Sequence, residues 1–221
     1  MIASEIINRE FPHLLFSDKK AKGVRLIKKL NCLFLPVVKN GLFKGFVANN
    51  DLISEPNPEK TISEFALLGK DCKVSLETHF LDILKLADDN KMNIVGVVSP
   101  KGNYIGVVTV QNIINIYSHD NSIEIPRSVL ILSMNIINYS LAEICRYVEE
   151  SNAKVISSFI IEDSEIQGAI KVVLVINQND LSRIVVTLER FNYQVVGVYQ
   201  KDPIDNTDSE RMALLMKYIN I

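Results

Sequence analysis

Apolar and polar positions along this chain form blocks, and the first half of the sequence runs through the same series of blocks twice. Leu35-Pro36-Val37-Val38, a polar turn at Asn40-Gly41, Gly45-Phe46-Val47 and Asp51-Leu52-Ile53 are matched by Val95-Gly96-Val97-Val98, Gly102-Asn103, Gly106-Val107-Val108 and Asn112-Ile113-Ile114. Pro36 and Gly96 stand 60 residues apart, Gly45 and Gly106 stand 61 apart, and Ser4-Glu5-Ile6 recurs as Ser63-Glu64-Phe65 at an interval of 59. A repeat of this length is one supersecondary unit used twice. Two such units packed face to face leave two related clefts, where a small ligand can bind.

Each repeat predicts helix, two strands and a short closing helix. In the first, Ser17 is placed to cap a helix reaching Leu30 with Ala21, Val24 and Ile27 inward. Phe34–Val38 and Leu42–Ala48 follow as strands about Asn40-Gly41, a hairpin signal, and Asn50 or Asp51 starts a short helix. In the second, Phe80, Ile83, Leu84 and Ala87 have the spacing of one buried helical face. Ile94–Val98 and Tyr104–Thr109 supply the strands around Lys101-Gly102, and Gln111–Tyr117 the closing helix. Pro56 and Pro58 make the connection between repeats non-helical. Pro36, inside a strand, predicts a sheet edge or a bulge. Gly23 weakens its helix unless close packing against the other repeat requires it.

A polar break at His119–Ser122 followed by Pro126 marks a domain boundary. The rest predicts strand Val129–Met134, a helix capped by Ser140 with Leu141, Ile144, Cys145 and Val148 inward, strands Val155–Ile161 and Ala169–Ile176 about a turn at Ser164–Gly168, a helix carrying Leu181, Ile184, Val185 and Leu188, and strand Val195–Tyr199. This βαββαβ order is the ferredoxin-like arrangement. A last helix, capped between Thr207 and Glu210, gathers Met212, Leu215, Met216 and Ile219 on one side that needs a partner. The fold class is therefore α+β, divided into residues 1–58, 59–122 and 127–221.

Composition narrows the function classes. Of the 221 residues 48% are apolar and 23% charged, ordinary globular values, and the net charge is −2. Residues 1–122 carry +2 and the remainder −4, so neither half is polarised toward nucleic acid. Lys19, Lys20, Lys22, Arg25, Lys28 and Lys29 crowd one helix, as a solvated face or an anion-attracting one. Three widely spaced cysteines (Cys32, Cys72, Cys145) form neither a disulfide framework nor a zinc motif, and three histidines show no ligand spacing. Charges interrupt the N-terminus where a signal peptide would be apolar, and no run approaches a membrane span. The expectation is a soluble cytoplasmic protein. No phosphate loop, nucleophile elbow or metalloprotease motif is present, nor carboxylates whose surroundings would split their pKa values, so no enzyme is expected.

The doubled pattern resembles the CBS domain, whose signature is an apolar-Pro-Val-Val strand, a glycine turn and Gly-apolar-apolar-Thr/Ser-x-x-Asp; two such domains form a Bateman module. The C-terminal third looks like an ACT domain, and the whole order is similar to the acetoin-utilisation accessory protein family. The resemblance implies a regulatory module that binds AMP, ADP, ATP or S-adenosylmethionine and requires no cofactor. It implies that the signature Asp accepts the ribose hydroxyls, a Thr or Ser bonds phosphate, and backbone near the strands lines the adenine slot. Carried over, the ligand-contacting residues are Pro36, Val37, Gly45, Asp51, Gly96, Val97, Gly106, Thr109 and Asn112. Ala48 stands where the first repeat should have a hydroxyl, and Asn112 where the second should have Asp. One cleft is therefore expected to be weak or empty.

The ACT effector turn falls on Ile136–Leu141, where Tyr139 replaces the glycine and Ile136 the Asp; self-association through the sheet does not depend on that turn. Homodimerisation and a separate, unidentified target protein are implied, with no nucleic acid and no membrane. Asp51, Thr109 and Asn112 equally suit helix capping. A dimeric scaffold with degenerate, empty clefts is the alternative.

Overall fold

The computed structural model describes residues 1–120, 127–163, 166 and 168–200. The chain divides into two compact units, Met1–Ser122 and Ile123–Ile221. The expected helix at 207–219, residues 121–122 of the expected break at 119–122, Pro126, and most of the turn at 164–168 lie outside the described residues.

In the first unit the chain forms α1 (Ala3–Ile6), β1 (Leu14–Leu15), α2 (Lys20–Leu30), β2 (Phe34–Lys39), β3 (Leu42–Ala48) and α3 (Asn49–Ser54), then β4 (Lys73–Val74), α4 (Phe80–Asp89), β5 (Ile94–Val98), β6 (Tyr104–Thr109) and α5 (Val110–Asp120). The sheets β1-β2-β3 and β4-β5-β6 have the same topology, a short parallel pair joined to an antiparallel hairpin. They share a register shift after Val37 and after Val97. Asn40 and Gly41 both have positive φ, 52° and 78°, the geometry that matches a two-residue turn to the strand twist. Neither two-residue strand carries a period long enough to read in sequence.

Pro36 lies in the central strand β2, not at an edge. The hydrogen-bond directions explain why it fits. Phe46 opposite Pro36 sends its N–H and C=O away from β2, to Leu68, so the Pro36–Phe46 pair is non-hydrogen-bonded and the missing amide faces β1. In the second sheet the equivalent Gly96 N–H donates to Cys72 O at 3.0 Å and β4 pairs from Lys73. Without that donor, β1 pairs only from Leu14 opposite Val37. Proline displaces the two-residue parallel pairing by one position and leaves the hairpin intact.

The two repeats interleave. α1 packs on the second repeat, with Ala3 N–H donating to Thr78 O at 2.9 Å and Ser4 N–H to Leu76 O at 2.8 Å. The matching 3₁₀ turn Ile62–Glu64 packs on the first, with Ile62 N–H donating to Asp18 O at 2.9 Å. Both leading turns are closed by the same device: the Glu5 carboxylate accepts from Ile2 N–H, and the Glu64 carboxylate from Thr61 N–H, each at 2.8 Å. Burial follows the exchange. Ile62 sits with Leu14, Ile27, Leu35, Val37, Val47 and Leu52. Ala3 and Ile6 sit with Ile83, Ala87, Val95, Val97, Val107 and Ile113, joined by Phe43 and Phe46 from the first hairpin. The two hairpin turns dock about a local two-fold: Tyr104 N–H donates to Gly41 O at 2.8 Å and Phe43 N–H to Gly102 O at 3.3 Å.

Several local expectations are corrected. α2 starts from Lys19 with no side-chain cap; the Asp18 carboxylate instead accepts from Leu15 N–H and Lys22 Nζ, each at 2.7 Å. Ala21 is exposed, and Gly23 takes the inward place, where a Cβ would stand 2.9 Å from Leu52 Cδ1. That glycine lets α2 and α3 of one repeat approach. Two of the first-turn lysines of α2 have carboxylate partners, Lys19 with Glu59 and Lys22 with Asp18, while Arg25, Lys28 and Lys29 face solvent. α5 continues through His119 to Asp120, into the first half of the expected break at 119–122.

The second unit is β7 (Ser128–Asn135), α6 (Leu141–Glu150), β8 (Val155–Glu162), β9 (Ala169–Ile176), α7 (Ser182–Arg190) and β10 (Gln194–Tyr199). Its sheet has the order β10-β7-β9-β8 with antiparallel neighbours throughout, the ferredoxin-like topology. Ser140 Oγ accepts from Glu143 N–H to cap α6. Leu130, Leu132, Val172 and Leu174 meet Ile144, Val148, Ile184 and Leu188 in one core. Tyr147 joins the inward face of α6, stacked on Phe191 at 4.1 Å. Tyr139 packs against that core after a 3₁₀ turn, Ile136–Asn138.

Candidate functional site

Six of the nine residues carried over from the signature are buried: Pro36, Val37, Gly45, Gly96, Val97 and Gly106. The glycines have a structural task. Phe46 and Leu68 exchange two backbone hydrogen bonds of 2.8 Å, and Val107 and Asn8 do the same at 3.1 and 2.8 Å. These bridges fasten each leading segment to the sheet of the other repeat. A Cβ on Gly45 would lie 2.6 Å from Leu68 O, and one on Gly106 2.6 Å from Asn8 O. Any side chain there would push the segment off. Gly96 leaves room for the ring of Phe43, 2.9 Å from where its Cβ would stand.

The remaining three separate into two places. Asp51 is in the first turn of α3, exposed, and is not its N-cap, which is Ala48. It borders a cavity of about 340 Å³ with Ser54, Glu55, Lys60, Glu64 and Phe65. The other carboxylates of that cavity are engaged. Lys60 Nζ lies 2.5 Å from Glu55 and holds its carboxyl below the usual range. The Thr61 amide and hydroxyl do the same for Glu64. The Asp51 carboxylate has no hydrogen-bond or ion-pair partner among the described residues. Phe65 and Ala66 also border a second cavity, of about 400 Å³, completed by Phe16, Lys44, Ser63, Leu67 and Lys70. Lys60 lies over the Phe65 ring at 4.9 Å and Lys39 over Phe16 at 5.0 Å.

At the corresponding place in the second repeat the polar groups are already bonded. Asn112 Nδ2 donates to Ile6 O at 3.1 Å, and Asn112 N–H donates to Thr109 Oγ1 at 3.1 Å. The hydroxyl caps the start of α5, and the carboxamide ties down the leading segment. Asp in place of Asn112 would set a carboxylate against a carbonyl oxygen.

Sequence reasoning missed Phe16, Lys44, Phe65 and Lys70. Ser63-Glu64-Phe65, as the second copy of Ser4-Glu5-Ile6, was the signal pointing to the leading segments. Burial pushes the Cys72 thiol up to about 11 and raises Cys32 and Cys145 as well. Among the described residues no group of His, Cys, Asp and Glu could hold a metal ion, and no helix is long and apolar enough to cross a membrane.

No protein-family model matches this chain. No curated protein matches either. Solved structures do. A CBS domain pair/ACT domain protein from Thermotoga maritima superimposes with a TM-score of 0.50 at 17% identity, covering 54% of this chain and 98% of that one. The CBS domains of a transcriptional regulator from Streptococcus pneumoniae match with a TM-score of 0.46 at 20% identity, over 52% of this chain and 98% of theirs. The likeness is one of fold: the interleaved repeats adopt the architecture of a CBS domain pair.

Proposed function

We propose that the chain is a non-catalytic regulatory protein whose CBS pair binds an adenosine compound in the first cleft, at Asp51. The observation that carries this reading is the contrast between clefts. Asp51 offers an unpartnered carboxylate at the border of a cavity, and a carboxylate accepts both hydroxyls of a ribose diol at once. Asn112 and Thr109 are bonded to the protein. Thiols raised by burial are poor nucleophiles at neutral pH, which supports a binding role over catalysis.

On this reading the protein is a cytoplasmic homodimer of the acetoin-utilisation accessory type. Its ferredoxin-like unit serves as an ACT-type association module, and the ligand biases two dimer arrangements that a separate target protein reads. The shift cannot exceed the ligand's difference in affinity for the two arrangements. Calorimetric titration with AMP, ADP, ATP and S-adenosylmethionine tests the proposal. Binding of one or more is expected, and Asp51→Ala weakens it by about 1–3 kcal/mol, the cost of a hydrogen bond to a charged group. No heat from any of the four at millimolar concentration refutes it.

A second reading, a dimeric interaction scaffold with empty clefts, is favoured by the Asn112–Ile6 hydrogen bond, which engages the second repeat's signature side chain within the protein. It predicts a melting temperature indifferent to every nucleotide.

A further inference from the structure

We infer that two copies of the chain pair through the outer helix faces of the two repeats, the first repeat of each copy set on the second repeat of the other. This rests on the homodimer reading above and specifies which faces meet. In each repeat the longer helix lies beside the closing helix, α2 with α3 and α4 with α5. Gly23 and Ile83, Ile27 and Ala87, and Leu52 and Ile113 are buried at equivalent positions, so the side chains turned outward correspond as well. One outward place holds the same apolar residue in both repeats, Ile53 and Ile114, 56% and 53% exposed. Leu81 on α4 is exposed to the same degree.

The charges in the last turn of the longer helix are inverted between repeats. Lys28 and Lys29 are exposed near the end of α2, and Asp88 and Asp89 are exposed at the equivalent places of α4. A helix C-terminus favours cations, so the lysines support their helix and the aspartates oppose theirs. No basic residue in the last turn of α4 offsets them. The ion pair from Lys91 to Asp88 is about 80% exposed on both sides and contributes little. Because the repeats share one plan of helices, two copies can meet first repeat on first or first on second with similar backbone shape. The first arrangement sets the lysines against their own copies and the aspartates against theirs, a like-charge contact made twice. The second sets lysine against aspartate in both contacts, and one two-fold axis relates and closes them. Arg25 and Lys85 are both cationic, so the choice falls to the last turns.

The test combines sedimentation equilibrium and cross-linking with a short bismaleimide, both on the full chain. K28D/K29D and D88K/D89K are each expected to weaken the dimer about tenfold or more. The variant that combines them restores opposite charges across the contact and is expected to recover wild-type affinity. Added salt should weaken the wild-type dimer and strengthen the dimers of the two separate reversals. I53C/I114C is expected to give a covalent dimer on a denaturing gel above the wild-type background, while I53C and I114C alone give none. Covalent dimers from I53C or I114C alone overturn the inference, as does a combined variant no tighter than either reversal. A dimer indifferent to charge reversal and to both cysteines overturns the inference and leaves the homodimer reading, with association through the ferredoxin-like unit. A monomer at every concentration overturns both.

Discussion

Replacing Tyr104 by phenylalanine removes one oxygen from the local two-fold between the hairpins. Phe43 and Tyr104 are equivalent positions, stacked at 6.2 Å with 15° between ring planes. One repeat already uses phenylalanine. The Tyr104 hydroxyl is buried with no hydrogen-bond partner among the described residues, and burial alone pushes its pKa far above that of a free phenol. An unpaired buried hydroxyl costs about 1–3 kcal/mol, and the small void left by its removal returns part of that. Tyr104→Phe is therefore expected to stabilise the first unit by about 1 kcal/mol, read by urea unfolding with unchanged slope. The corresponding rise in melting temperature is roughly 3–5 °C for a unit of this size.

A pH series separates this cause from general repacking. A phenol titrates near 10 in the unfolded chain, and the folded state holds Tyr104 neutral well beyond that. The wild type gains nothing from this below pH 10 and loses stability above it, as the unfolded phenol ionises and the folded one does not. Phenylalanine has no proton to lose. The gap between variant and wild type should stay constant from pH 6 to 9 and widen by about 1.4 kcal/mol at pH 11. Cys72 and Tyr193, raised to about 11 and about 12, act equally in both proteins and cancel. A variant no more stable at pH 7, or a gap that stays flat to pH 11, refutes the reasoning.

Gly106→Ala should cost about 3 kcal/mol or more, because the new methyl meets the Asn8 carbonyl rather than a movable side chain; hydrogen exchange should show the Asn8 and Val107 amides losing protection first. Asn112→Asp should lower stability by about 1–3 kcal/mol through a carboxylate facing Ile6 O, measurable by chemical denaturation, and unchanged stability would dissolve the proposed tie. Lys171→Met should lower the stability of the second unit by about 2 kcal/mol, since Asp163 is 5% exposed and Lys171 Nζ lies 3.2 Å from it.

Periodicity and turn chemistry determined most of the elements. The helical spacing of Ile83 and Ala87, the Asn40-Gly41 turn, the Ser140 cap and the βαββαβ order are local features, and each has the predicted form. The internal repeat announced two copies of one unit because the same packing problem had been solved twice. Tertiary structure decided which copy packs on which. Backbone hydrogen bonds from Leu68 to Phe46 and from Asn8 to Val107 exchange the leading segments, and main-chain pairing across tens of residues leaves no periodic trace in side chains. For the same reason a signature glycine such as Gly106 reads alike whether it faces a ligand or a carbonyl. Only the fold distinguishes Asp51, open to a cavity, from Asn112, bonded to Ile6, since a polar side chain's availability depends on what the rest of the chain brings to it.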